Sequence, residues 1–367
     1  MPTRFLDRSL LAALVEALLR RGRTVYGPVS ADGAIGFDEI HDVTELACAL
    51  RDVQEPGRYR IEADPGGATF GVANGPSGLK RLFLAPSESV LAVARGVGTF
   101  HVEDRAAQPE PIAVLGARPC DLAALAIQDR VLLGGRYPEP RYGARRRDAF
   151  LVAVNCTRAA STCFCASLGD GPEVTAPHDV ALTELATGFV AHASSARGRV
   201  LLDELGAREA SAAEQAEERA ALARCAYDQC RSLEPAGLAD ALYANLDHPR
   251  WDEVAERCVA CGNCTMVCPT CFCQTTSDHL SLDGERAERT RSWDSCFTPD
   301  HGYVHGKNYR PHTREKYRQW LTHKLAGWVE QFGRSGCVGC GRCITWCPAA
   351  IDLTEEAAAL RVAPRDA

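Results

Sequence analysis

The sequence predicts an α+β protein: a mixed α/β region over residues 1–247, a helical, cysteine-rich region over 248–360 and a tail of residues 361–367. Three observations carry that reading. In the first two thirds of the chain, short β-prone runs broken by Gly, Pro and Asn alternate with helical patterns. The last third holds two cysteine runs of matching spacing, "CVACGNCTMVCPTCFC" from residue 258 and "CVGCGRCITWCP" from residue 337. The residues before the second run have the apolar spacing of a helix.

The 367 residues suit a large domain plus a smaller one, or two of middle size, and a hydrophobic fraction of 46% is enough to bury a core. A net charge of −7 argues against a nucleic-acid partner, because phosphate neutralisation needs a basic face. The apolar stretch "LLAALVEALLRRG" is too short to span a bilayer and carries Glu16, so we read no membrane contact and a cytoplasmic location. The chain has 18 cysteines, many for a compartment that keeps thiols reduced. They are clustered, which favours metal ligation over disulfides.

Taken in order, Leu10 to Arg21 has the spacing of an amphipathic helix, and from Arg23 to about Asp104 the runs "RTVYGPV", "RYRIEA" and "RLFLAP" read as strands of a mixed sheet. "PIAVLGARPCDLAALAIQDRVLLGG" reads as a buried strand, a turn at Pro119 and a helix capped by Asp121. The apolar run "AFLVAVNC" follows at the distance of a right-handed βαβ crossover, which predicts parallel neighbours. The Ala/Glu/Arg-rich stretch from Leu205 to Cys230 reads as a solvated connecting helix without a function of its own. A separate cysteine-rich domain then begins at "HPRWDEVAERC", residues 248–258.

Its chemistry follows from spacing. Cys258, Cys261, Cys264 and Cys268 precede Pro269, and Cys337, Cys340, Cys343 and Cys347 precede Pro348, so each run reads C-x2-C-x2-C-x3-C-P. In such runs three thiolates hold one 4Fe-4S cube while the fourth reaches the other cube. The expected quartets are therefore crossed: Cys258, Cys261, Cys264 with Cys347, and Cys337, Cys340, Cys343 with Cys268. Gly262, Gly339 and Gly341 let the loops wrap closely and turn N–H groups toward sulfur. Val259, Met266, Val338 and Ile344 are expected to shield the cubes from water. Paired C-x2-C also holds zinc, but four cysteines within eleven residues, closed by proline and repeated, favour the cubes. The stretch "PHTREKYRQWLTHKLAGWVEQFG" has Leu321, Leu325, Trp328 and Phe332 on one helical stripe, which makes the domain a helical dicluster ferredoxin-like one. Its histidines, His301, His305, His312 and His323, read as packing residues.

Upstream, Cys120 follows one predicted strand, Cys156 ends the next, and "TCFC" adds Cys163 and Cys165. Parallel strands bring all four to the carboxyl edge of the sheet, where open α/β folds bind ligands. Two readings stand for this group: a third 4Fe-4S cluster, or buried and redox-active thiols. Cys271, Cys273 and Cys296 have no assignment, whether to line a cluster or to exchange into that third site. Cys48, Cys225 and Cys230 read as small hydrophobes.

These residues resemble a known family. "HPRWDEVAERCVACGNCTMVCPTCFC", "RSWDSC", "GKNYRPHTREKYRQWLTHK" and "GCVGCGRCITWCP", with "YGPV", "GARPCDLAAL" and "NCTRAASTCFC" upstream, look like the beta, iron–sulfur subunit of cytoplasmic NAD(P)-linked nickel-iron hydrogenases, also called sulfhydrogenases. They are similar too to the electron-transfer subunit of anaerobic sulfite reductase, and Arg118 to Asp121 resembles a turn of deazaflavin-reducing hydrogenase beta subunits. The resemblance implies an electron carrier inside a complex. Its partners there are the nickel-iron large subunit, the hydrogenase small subunit, and the flavin subunit that exchanges electrons with NAD(P)H. The resemblance carries over cluster ligation alone: no catalytic residue is expected, and no G-x-G-x-x-G cradle follows a strand. The alternatives are a self-sufficient flavin enzyme, a zinc-bearing binding module and the sulfite reductase subunit.

Overall fold

The computed structural model describes residues 3–104 and 109–362; residues 363–367 of the expected tail lie outside the described residues. Among the described residues the main sheet has eight strands. Its centre is four parallel neighbours, Thr24–Ala31, Ile112–Ala117, Phe150–Val154 and Val180–Glu184. Ala34–Glu39 closes one side antiparallel; Gly188–Ala193, Arg4–Asp7 and Arg208–Glu209 extend the other. Every residue of Phe150–Val154 is buried, as an apolar run with both faces covered should be. The helix Leu11–Arg20 packs Leu14 and Leu18 against Val25, Val152 and Phe189 on one face. The helix Pro119–Leu132 packs Leu122 and Leu125 against Val114 and Leu151 on the other.

The sheet is mixed and the crossover joins parallel neighbours, as the apolar runs predict. Local details differ. Asp121 is not the cap of its helix: Arg118 holds the N-cap position, Pro119 is the first helical residue and Asp121 the third, free to meet a cation elsewhere. "RLFLAP" is not a strand, since Lys80–Phe83 is a single helical turn. A four-stranded sheet, Gln274–Leu280, Arg286–Trp293, Ser87–Gly96 and Thr99–Asp104, spans the expected boundary between residues 247 and 248. It is pinned by Arg291, which bridges Glu88 and Glu139, and by the Trp293 indole donating to the Leu84 carbonyl at 3.1 Å. The interval between the two cysteine runs thus carries a β-hairpin besides its helices. Thr313–Thr322 continues through a π turn, His323–Gly327, into Trp328–Phe332, and Leu321, Leu325 and Trp328 are buried along the expected stripe.

The connecting helix, Ala212–Tyr227, is less solvated than its composition suggests. Glu218 is buried, accepts a hydrogen bond from Thr183 at 2.7 Å and faces His192 at 3.0 Å. The hydrogen bond to Glu218 raises the His192 pKa against burial, while His192 and Thr183 hold the Glu218 carboxyl low against its own desolvation. The His192 contribution is full below the ordinary histidine range near 6.5 and is lost as pH rises through the raised value; the Glu218 contribution is lost as pH falls into the carboxylate range. His192 is half exposed, so His192→Gln should remove only about 0.5 kcal/mol of stability near pH 6 and nearly none at pH 9, as guanidinium unfolding at the two pH values will register.

Candidate metal centres

The two cysteine runs fold alike. Each carries two left-handed residues followed by one helical turn: Ala260 (φ 54°) and Gly262 (φ 77°) before Asn263–Met266, and Gly339 (φ 64°) and Gly341 (φ 74°) before Arg342–Thr345. This backbone turns each loop tightly through its first three cysteines. The two turns pack against each other, with the Asn263 amide 3.3 Å from the Trp346 carbonyl.

Burial raises the Cys258 and Cys264 thiols, and Cys347 is among the charges that add to both shifts. Burial likewise pushes the Cys337 thiol up to about 12, with Cys340 and Cys268 adding to it. Cys340 and Cys343 also feel Cys268. Cys347 thus acts on two cysteines of the first run and Cys268 on three of the second, while Cys296 also acts on Cys264 and Cys264 on Cys343. Backbone N–H groups point at sulfur from Gly339 to Cys337 and from Ile351 to Cys347, each at 3.4 Å. Val338 and Ile344 are buried, whereas Val259 is 67% exposed and shields nothing; Cys261 beside it is exposed as well. The first quartet thus opens to the surface and the second is interior.

The upstream group starts at the carboxyl ends of two parallel strands. Cys120 lies in the first turn of the helix after Ile112–Ala117, Cys156 lies just past Phe150–Val154, and the following loop returns Cys163 and Cys165. Burial raises the Cys120, Cys163 and Cys165 thiols; the Cys165 charge adds to the first two, the Cys156 charge to the last two, and Cys340 of the second run to all three. The Gln229 amide donates to Cys165 sulfur at 3.3 Å, and Asn74 lies 3.9 Å from Cys163 sulfur. Cys225 joins the edge of this group, buried near Cys156 and Cys163, while Cys48 and Cys230 are exposed and apart.

The second and upstream quartets abut. The Phe164 N–H donates to the Gly339 carbonyl at 2.8 Å, and a Cβ on Gly339 would stand 2.6 Å from the Cys165 Cα. Gly341 is equally pressed, since a Cβ there would come within 2.3 Å of the Thr162 carbonyl oxygen. The hairpin of strands Leu50–Glu55 and Arg58–Ala63 wedges in beside them, with Tyr59 and Trp346 rings 5.0 Å apart.

Composition alone missed the cations around the sulfurs. Lys324 is buried, its ammonium 3.3 Å from Cys268 sulfur and 2.9 Å from the Thr270 hydroxyl. Hydrogen bonding from Cys271 and the Lys324 charge hold the Cys268 thiol well below its ordinary range. Lys80 donates to the Met266 carbonyl at 3.0 Å and lies 3.8 Å over the Trp293 ring. Arg342 pairs with Asp121 at 3.0 Å between the second and upstream quartets. The stripe Leu321, Leu325, Trp328 held a signal: Lys324 lies three residues from the first and four from the last, on the same face.

Among the described residues no group of three or more His, Cys, Asp or Glu side chains gathers as one metal ion would need. A cube takes each thiolate on a separate iron, so its ligands surround a body rather than a point. Soft sulfur donors, N–H groups aimed at sulfur and a glycine-lined wall fit iron–sulfur cubes.

The fold and these loops define an iron–sulfur protein of the dicluster kind. A family model described as a 4Fe-4S dicluster domain matches residues 257–351, and a second so described matches residues 220–272. The chain is 30% identical over 337 residues to sulfhydrogenase 2 subunit beta of Pyrococcus furiosus, covering 89% of each chain. It belongs to the sulfhydrogenase beta-subunit family. No solved structure matches it. Among the described residues no helix is long and apolar enough to cross a membrane.

Proposed function

We propose that the chain is the electron-transfer subunit of a cytoplasmic NAD(P)-linked nickel-iron hydrogenase. In this reading the crossed quartets hold two 4Fe-4S clusters, and Cys120, Cys156, Cys163 and Cys165 hold a third. The carrying observation is that the cysteine loops adjoin in series: the helical turns of the two runs pack on each other, and Gly339 of the second run presses on Cys165 of the upstream group. When bound, such clusters take and give one electron at a time. The residues supply placement, N–H donors to sulfur and exclusion of water by Val338, Ile344 and Phe164. None acts as acid, base or nucleophile.

The partners in this reading are the hydrogenase large and small subunits and a flavin subunit that handles NAD(P)H, with residue 248 opening the dicluster part of the chain. The family relation favours this complex over a sulfite reductase. Affinity-purified, oxygen-free complex should bring down nickel-containing subunits; siroheme in their place would refute the assignment. Replacing Cys156 by Ser should abolish one electron paramagnetic resonance signal and about four irons while leaving the crossed pair. Unchanged iron and spectrum would remove the third cluster.

A further inference from the structure

Cys271, Cys273 and Cys296 fall outside these three sets of ligands, yet they line one cavity of about 320 Å³. That is the size range of pockets that hold small ligands. Its wall also includes His301, His323 and Lys324. Phe272 and Trp328, which pack edge to face with centroids 6.2 Å apart, and Trp320 supply an apolar lining. Three soft sulfur donors and imidazoles facing one half-enclosed, largely apolar space form a donor set for iron rather than for a hard cation.

Two further features point the same way. Asp294 stands 3.6 Å from His301 Nδ1, beyond hydrogen-bond reach, and sets a carboxylate beside the imidazole at the cavity wall. Lys324 joins two sets of sulfur, 3.3 Å from Cys268 and 3.7 Å from Cys271. A buried ammonium between two thiols is where a positive charge is needed if both sulfurs belong to anionic clusters.

We infer that Cys271, Cys273, Cys296 and His301 hold an additional 4Fe-4S cluster, with Lys324 screening it from the cluster that Cys268 serves. Ligation displaces the three thiol protons, and the histidine enters neutral. The site goes beyond the proposed function, as a lateral branch from the interior quartet. It does not require the Cys120 group to be loaded, so the two claims fail separately.

The test is anaerobic reconstitution of the full chain, with iron and acid-labile sulfide counting and Mössbauer spectra. With all four sites filled, about sixteen irons are expected. Cys273→Ser and Cys296→Ser should each lose about a quarter of them, while Cys156→Ser loses a different quarter. His301→Cys should keep full iron and replace a nitrogen-ligated iron signature by a sulfur-ligated one. Full iron and an unaltered spectrum in Cys273→Ser and Cys296→Ser would overturn the inference. If those variants do not fold, an unaltered spectrum in His301→Cys overturns it instead.

Discussion

Cys347→Ala will remove the cluster served by Cys258, Cys261 and Cys264 and leave the one served by the three cysteines nearest to it in sequence. The reason lies in the backbone. Each C-x2-C-x2-C loop uses its two left-handed residues and single helical turn to place three sulfurs, and the following proline ends that turn. In the proposed crossing the packing of the two turns directs the fourth cysteine to the facing loop, in keeping with Cys347 adding to the burial-raised thiols of Cys258 and Cys264. Cys258→Ala and Cys347→Ala should therefore lose the same paramagnetic signal and the same roughly four irons of the wild-type total. Cys268→Ala should behave like Cys337→Ala. If Cys347→Ala instead reproduces Cys337→Ala, each run serves its own cluster and the crossing is wrong.

The spacing that makes this experiment readable was legible in the sequence because it is local. So were the strands Ile112–Ala117 and Phe150–Val154, whose apolar runs leave no polar face, and hence the convergence of Cys120 and Cys156 at one sheet edge. What was not legible depends on distant partners. The hairpin Gln274–Leu280 to Arg286–Trp293 is polar on both faces and becomes part of a sheet only by pairing with Ser87–Gly96. Nothing in "RAERTRSW" announces an edge two hundred residues upstream. Glu218 looked like one more surface charge until His192 and Thr183 came beneath it. "RLFLAP" has β-prone residues, but Lys80 is drawn into the interior by the Met266 carbonyl and the Trp293 ring, and a helical turn delivers it there. Val259 erred the other way: an apolar residue in a cluster loop was expected inside, yet the first loop lies at the surface.

The buried charges carry the second large expected effect. Arg342 and Asp121 are 1% and 0% exposed, and the guanidinium also donates to the Gly75 carbonyl at 2.7 Å. They come from the second cysteine run and the upstream helix, so they tie the two together. Arg342 feels Cys340 and Cys120 in addition to Asp121. Arg342→Met leaves the Asp121 carboxylate in a dry site among thiolates, and breaking a buried pair from one side costs about 3–5 kcal/mol. Anaerobic guanidinium unfolding should show that loss. Adding Asp121→Asn to Arg342→Met should restore much of it, because no unpaired charge then remains. The same pair predicts redox shifts of opposite sign. Removing the cation disfavours the more negative, reduced state and lowers the potential of the centre served by Cys340; Asp121→Asn alone removes an anion and raises it. A shift on the order of 60 mV, a tenfold change in a one-electron equilibrium, is expected each way. General damage to the fold has no reason to produce opposite signs, so potentials that move together in the two variants would count against an electrostatic role for this pair.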